Sequence, residues 1–393
     1  MIHVIPVTGA PGGEGWLLET GRKTALVDSG FAFSAPQLKI NHLRTPVEYR
    51  SSAPAEEFRA LVASLGTSNP EEAVVAGKFP IYAEQSFPTG MGADADRIFE
   101  EAGIPGAVLT FPAGVKPERH ISFRYTLPAG ANALARILIH VKAGAEAKVL
   151  LHASPDPAEP GPAFFGLQTF AYLEPGAKLE LYAVQMLAEG SSFFHDIGGW
   201  GEADSSLTLY KLDVGAAKVW EGLWHTQAGD GSRFSADLGY VGLPGSVTDI
   251  NYNDVFRGKK AEGRMYFKGA LLEGAEKTFR GTIDFRRASA GCAGDEQEDV
   301  ILLGDDVANK TIPLILGEEE DVEGRHASTI GSLSEDILFY LETRGIDKRT
   351  AEELMVRASL AHIAEAVPSD DVRCRVNETI GRIFHAEGEG DAE

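Results

Sequence analysis

The chain has 393 residues, 44% of them hydrophobic, and a formal net charge of −22. That hydrophobic share suffices for a large core and excludes wholesale disorder, while the acidic balance repels phosphate, so neither nucleic acid nor an anionic membrane is expected as a partner. Two cysteines, Cys292 and Cys374, are too few for a disulfide framework; no apolar run is long enough to cross a membrane, and Met1–Pro6 lacks the basic and apolar segments of a signal peptide, which together point to a cytoplasmic protein.

Residues 1–38 read as an N-terminal extension. Gly15-Trp16-Leu17-Leu18-Glu19-Thr20-Gly21 followed by Ala25-Leu26-Val27-Asp28-Ser29-Gly30 resembles the opening strand pair of the metallo-β-lactamase fold. The H-x-H-x-D-H zinc motif of that fold is missing downstream, so a small hairpin without a metal site is expected. Residues 39–110 form an N-terminal helical region, with helices expected at Glu56–Leu65, Glu71–Ala76 and Ala93–Ala102.

From residue 111 to 331 the text is strand-like. Ala135–Val141, Leu179–Val184, Ser206–Leu212 and Arg264–Gly269 are short and β-prone, and Gly-Ala turns recur at Gly144-Ala145, Gly176-Ala177 and Gly274-Ala275. Such spacing without intervening helices fits a solenoid or an antiparallel sandwich, and sequence physics leaves the two level. Residues 332–385 are helical. Ser332 and Glu335 have capping-box spacing before Ile337, Leu338 and Leu341, and that helix stops at Gly345. A second helix runs from Lys348 to Val367, with Ala351, Leu354, Met355, Ala358 and Ala361 on one face, and a third from Asp371 to Phe384. Residues 386–393 form an acidic tail expected to be disordered.

The sequence carries no phosphate-binding G-x-x-x-x-G-K-[ST] loop, G-x-G-x-x-G, G-x-S-x-G or H-E-x-x-H motif, and its cysteines lack C-x-x-C spacing. Four stretches carry a resemblance instead: Gly269–Ala275, Asp299–Asp305, Asp321–Gly331 and Leu338–Ile346. In this order they resemble the C-terminal part of the SufB/SufD family of iron–sulfur cluster assembly scaffolds, on its SufD-like branch. The weaker phrase Ile40-Asn41-His42-Leu43 agrees.

The resemblance implies a mainly β fold: a right-handed parallel β-helix core with a small N-terminal helical region and a C-terminal helical domain. It implies a scaffold subunit of the SUF complex and no intrinsic enzyme activity. The chain would pair with a SufB-like subunit or with itself, with a transient iron–sulfur cluster at the subunit interface. Its C-terminal helices would bind the SufC-type ABC ATPase, leaving no nucleotide on this chain.

Residue by residue, His326 falls on the histidine that SufD-type members place at the SufB junction, and Glu298 stands where SufB-type members carry a cysteine. Gly324 replaces a frequent cysteine and Ala327 a usual glycine. His326 is therefore a candidate iron ligand through neutral imidazole, against a structural histidine at a strand end. Glu298 is a candidate hard oxygen donor for iron, against membership of a solvated acidic turn formed by Asp295, Glu296, Glu298 and Asp299. Leu354, Met355 and Ala358 are the candidate ATPase-docking face, against packing on the preceding helix. Cys292 is expected in an exposed loop, Cys374 in helix packing, and Trp200, Trp220 and Trp224 with His225 as an aromatic core cluster. The competing functional class is a β-helix carbohydrate-active enzyme, a polysaccharide lyase or esterase using carboxylates on an exposed face. Such an enzyme has no need of the C-terminal helical module. A zinc hydrolase suggested by the N-terminus is weaker still.

Overall fold

The computed structural model describes residues 33–44, 46–65 and 87–385, together with two short strands, β1 (Ile5–Val7) and β2 (Gly15–Leu17), which pair antiparallel. Residues 71–76, 25–30 and 387–393, where a helix, a strand and a disordered tail were expected, lie outside the described residues.

Two nine-stranded sheets form the body. One runs β3 (Gln37–Asn41), β6 (Ile121–Leu127), β8 (Glu146–Pro155), β10 (Lys178–Gln185), β12 (Ser206–Asp213), β14 (Arg233–Gly242), β16 (Glu262–Leu271), β18 (Cys292–Leu302), β20 (Val322–Ser332). The other runs β4 (Glu48–Ala53), β5 (Gly106–Phe111), β7 (Asn132–Val141), β9 (Phe164–Leu173), β11 (Ser192–Gly201), β13 (Lys218–Gln227), β15 (Val247–Phe256), β17 (Glu276–Phe285), β19 (Ala308–Gly317). From β5 onward the chain alternates between sheets, and every neighbour within a sheet is parallel. The result is a parallel solenoid of about eight turns; only β3 and β4 are antiparallel additions at its start. The sandwich alternative is removed by this pairing.

The recurring Gly-Ala phrase marks the corners. Gly144 and Gly176 sit at φ 65° and 69°, stacked so closely that a Cβ on Gly176 would meet the Gly144 Cα at 3.9 Å. The alanine that follows each, Ala145 or Ala177, is fully buried where little beyond a methyl fits. Gly274-Ala275 does the same at the opposite corner, above Gly245.

Inside the solenoid, alternate residues of β5 through β18 build one continuous, mostly apolar core. Its flanks differ along the length. Helices α1 (Ala55–Leu65) and α2 (Ala93–Glu101) cover the outer face of the odd-numbered sheet over Leu134, Leu138, Phe164, Phe170, Phe194, Trp200 and Trp220. Trp200 and Trp220 thus belong to two separate outer clusters, and His225 faces the lumen, stacked on Phe234 with centroids 4.6 Å apart; the single aromatic cluster expected from sequence does not form. The C-terminal helices α3 (Glu335–Glu342), α4 (Lys348–Ala366) and α5 (Asp370–His385) follow the last strand. Of these, α4 and α5 cover the outer face of the even-numbered sheet over Leu150, Tyr182, Val184, Leu212, Val241 and Ala270. Strands clad on both faces are buried throughout, as β11 is, whereas β18 alternates because its outer face is bare.

Three local expectations are corrected. The residue capping α3 is Ser334, because Ser332 still belongs to β20 and pairs with Leu302. Helix α4 is capped by Asp347, which accepts from the Thr350 N–H at 3.0 Å, and its buried face is Ala351, Val356, Leu360 and Ile363. Cys292 is buried at the start of β18, its thiol donating to the Gly258 carbonyl at 3.1 Å, whereas Cys374 is exposed on α5. Burial pushes the Cys292 thiol up, opposite to an activated thiolate.

Candidate functional site at the open end of the solenoid

The final turn, β19 and β20, has no turn stacked upon it among the described residues. Register with the turn below fixes which side chains enter the lumen there. Thr311, Pro313 and Ile315 follow Phe279, Gly281 and Ile283 on one side. His326, Ser328 and Ile330 follow Glu296, Glu298 and Val300 on the other. Both strands are mostly exposed, and Ile312, Leu314, Ile315 and Ile330 are large apolar side chains left in solvent.

His326 is therefore at an open seam. Its side chain is 25% exposed, and Nδ1 lies 3.0 Å from Oε1 of Glu296 one turn below. The Glu296 carboxyl is packed where a Cβ on Gly281 would stand, so the glycine makes room for it. Burial first, and the charge of Glu298 second, push Glu296 up to about 7. Near neutral pH Glu296 can thus hold or release a proton beside an imidazole. Asp295, Glu296, Glu298 and Asp299 do not form a solvated turn. They lie on β18, with Glu296 and Glu298 pointing inward and the other two outward.

Glu298 is fully buried. It takes a charge-assisted hydrogen bond from Lys277, itself buried, and a second from the Thr311 hydroxyl at 2.6 Å. Lys277 also reaches Thr311 at 3.2 Å. Burial lowers the Lys277 ammonium from its usual range, and Glu298 offsets part of that. Both Glu298 oxygens are occupied, so its present geometry is that of a countercharge. The structure brings His326 together with Glu296, which sequence reading had not singled out, and sets Glu298 one layer deeper.

A second buried polar group lies mid-lumen and was missed altogether. The Lys211 ammonium is 2.9 Å from His195 Nδ1, 3.1 Å from Glu221 Oε1 and 3.7 Å from Asp213 Oδ1. His195 Nε2 lies 3.0 Å from the Thr169 hydroxyl. Burial and the Asp213 charge raise Glu221 well above the carboxylate range, and burial with the Lys211 charge keeps His195 neutral. The available signal was Lys211 and Asp213 continuing the alternate positions begun by Leu207 and Leu209.

On the outer helices, Leu354 is 47% exposed, Ala358 is exposed and Met355 is half-buried. They lie off the face that α4 buries. Next to them in chain order, α3 exposes Ile337, Phe339 (68%) and Tyr340. Among the described residues no helix is long and apolar enough to cross a membrane, and no three His, Cys, Asp or Glu side chains converge to hold a metal ion.

Comparison with known proteins places this geometry in a family. The sequence profile of the SUF system FeS cluster assembly SufBD core domain matches residues 124–359, from β6 into α4. The chain is 25% identical over 154 residues to the iron–sulfur cluster assembly protein SufD of Bacillus subtilis, covering 39% of this chain and 35% of that one. It is 24% identical over 176 residues to a chloroplastic SufBD family protein of Arabidopsis thaliana, covering 44% and 31%. It is 23% identical over 143 residues to a SufBD family protein of Staphylococcus saprophyticus, covering 36% and 30%. These alignments span about a third of each relative's length. The match of the core profile over more than half of the chain makes it a member of the SufB/SufD family of iron–sulfur cluster assembly proteins, SufD-like in its resemblances.

Proposed function

We propose that this chain is a non-enzymatic scaffold subunit of a SUF assembly complex, joined through its open solenoid end to a SufB-like subunit or to a second copy. The observation that carries this reading is the uncapped last turn. Two parallel sheets end there side by side, with free strand edges at β19 and β20 and four large apolar side chains in water. Edges of this kind pair with other strands when nothing blocks them.

At the joined seam His326 and Glu296 offer one nitrogen and one carboxylate to iron, and the remaining ligands of a nascent cluster come from the facing subunit and from sulfide. Iron and sulfide are cargo here, assembled and passed on. The apolar surface of Phe339, Tyr340 and Leu354 gives a SufC-type ATPase its foothold on the C-terminal helices, and nucleotide-driven movement of that ATPase strains and reopens the seam.

The test is co-expression with a SufB-like chain and a SufC-type ATPase, followed by mass measurement in solution. Wild type should purify as a complex containing all three, and Ile330→Asp should release this chain as a monomer that still folds. Wild type remaining monomeric beside both candidate partners, and with no self-association, would remove the proposal.

A further inference from the structure

One segment lies against the outer face of the odd-numbered sheet so closely that main chain touches main chain. Phe87–Met91 leads into α2, and glycines on both surfaces permit the approach. A Cβ on Gly90 would collide with the Leu223 nitrogen, and one on Gly222 with the Met91 side chain. The Gly90 N–H donates to the Ile197 carbonyl at 3.2 Å, and the Asn251 amide donates to the Gly90 carbonyl at 2.7 Å. Farther along, Ile98 and Phe99 of α2 cover Phe164, Phe194 and Trp220 on the sheet.

Beneath this strap two carboxylates meet through one amide. Gln168 on β9 is fully buried, and its Nε2 donates to Asp96 Oδ1 on α2 at 2.6 Å and to Asp196 Oδ2 on β11 at 3.2 Å. One nitrogen thus holds the two carboxylates close together across the boundary between strap and sheet. Asp196 is fully buried, and its other oxygen accepts from the Met91 N–H at 2.9 Å. The Gln168 carbonyl accepts from Arg136 Nε on β7 at 2.9 Å. That guanidinium lies over the rings of Phe58 and Phe99, with Nη1 unpartnered among the described residues. Glu100 on α2 and Arg59 on α1, 3.4 Å apart, are the other charges acting on Arg136, and Arg97 is exposed. From β13 the register partner of Asp196 is the uncharged Gly222.

Ionised, Asp196 keeps three donors: the Thr89 hydroxyl, the Met91 N–H and the Gln168 amide. It has no solvent, and Asp96 acts on it. Burial first and the Asp96 charge second outweigh the donors and push Asp196 up to about 7. Parting the strap from the sheet relieves both at once, because it wets Asp196 and carries Asp96 away on α2. What else holds the strap down is apolar contact, with ring centroids 5.8 Å apart for Phe99 on Phe194 and 5.5 Å for Phe87 on Phe170.

We propose that Phe87–Glu101 is a pH-sensitive strap, clamped through the Asp96–Gln168–Asp196 bridge while Asp196 is protonated and released from the sheet when Asp196 ionises. Release uncovers Phe194 and Trp220 and leaves the solenoid whole, since β9, β11 and β13 pair with one another and not with the strap. The closed strap holds a proton that the open one gives up between the ordinary aspartate range and about 7. Opening therefore grows about tenfold per pH unit through that interval and levels off above it.

The test is amide hydrogen exchange on the full chain from about pH 5 to about pH 8, corrected for intrinsic rates. Amides of Gly90, Met91 and α2 should open about a hundredfold more at about pH 7 than at about pH 5, while those of β9, β11 and β13 stay slow. Asp196→Asn keeps an acceptor for the Met91 N–H and carries no charge, so its strap should stay closed with no pH dependence. Asp96→Asn should move the upper end of the rise to lower pH, because the neighbouring charge is gone. Strap opening that is flat with pH in wild type, that rises as steeply in Asp196→Asn, or that occurs only together with opening of β11 would overturn the assignment.

Discussion

Glu298→Gln separates the two roles open to this residue. The substitution keeps the side chain's shape, and the amide can still accept from Lys277 and meet Thr311. What it removes is the charge facing a buried ammonium. Breaking a buried pair from one side costs about 3–5 kcal/mol. An independent bound comes from the escape route, in which Lys277 sheds its proton. At pH 7 that costs about 1.4 kcal/mol for each unit below the ordinary lysine value near 10.4, or about 5 kcal/mol at most. The two figures agree, so the variant should fold with Lys277 neutral and lose about 3–5 kcal/mol. The sign of its pH dependence follows. The unfolded variant then binds one proton more than the folded one, so its stability rises with pH until the ordinary lysine value is passed. Between about pH 7 and about pH 9 the deficit should shrink by up to about 3 kcal/mol. In the wild type Glu298 offsets part of the burial effect on Lys277, so the curve rises less. Urea unfolding across that range, with amide exchange read on β17 and β18, measures both quantities. A deficit under about 1 kcal/mol at neutral pH, or one indifferent to pH, would mean that Glu298 is not the anchor of Lys277 and is free to serve as an oxygen donor to iron.

His326→Ala, at a partly exposed seam, should change stability by less than about 1 kcal/mol while the co-expressed complex loses iron and acid-labile sulfide on analysis. Phe339→Ala combined with Leu354→Asp should weaken association with a SufC-type ATPase by about tenfold or more in titration, with the thermal midpoint of the free chain unchanged because both side chains are exposed. Asp196, buried under the N-terminal segment where it accepts from the Met91 N–H, is pushed up to about 7 by burial and then by Asp96. The folded state therefore keeps a proton that the unfolded state releases, and wild-type stability falls as pH rises from about 4 to about 7. Asp196→Asn should flatten that fall, which is worth up to about 4 kcal/mol, in unfolding curves taken across the window.

The turns of this solenoid were readable because Gly144, Gly176 and Gly274 each precede an alanine that a tight corner demands. Whether the strands between them paired in parallel was not readable, since strand-turn-strand text serves a sandwich equally well. The position of His326 was legible only through resemblance; its neighbour Glu296 was hidden because Asp295 to Asp299 is polar at every position, leaving no inward–outward contrast. The packed face of α4 was misjudged for the opposite reason. Its alanines make nearly every stripe look apolar, and the buried one is marked by the larger Val356, Leu360, Ile363 and Val367. The outcome leaves Leu354 and Ala358 outside the packed face.

The composition of the open end argues for an interface that forms and parts. An end covered permanently would be lined by apolar side chains and by polar groups already partnered within the lumen, as Lys211 is by His195 and Glu221. An end exposed permanently would carry charges or a capping element, as terminal repeats of solenoids do. Here Ile312, Leu314, Ile315 and Ile330, each about half exposed, leave roughly 4 kcal/mol of apolar burial ungained. Yet Thr311, His326 and Ser328 are interleaved with Ile315 and Ile330 on the lumen side, and Glu296 sits just below with a proton affinity near neutrality. Closing this end dry would strand those polar groups unless the facing surface, or iron and sulfide between the two, supplied their partners. A seam that is favourable to close only with cargo or a matching polar surface inside it is what a scaffold for transient assembly requires.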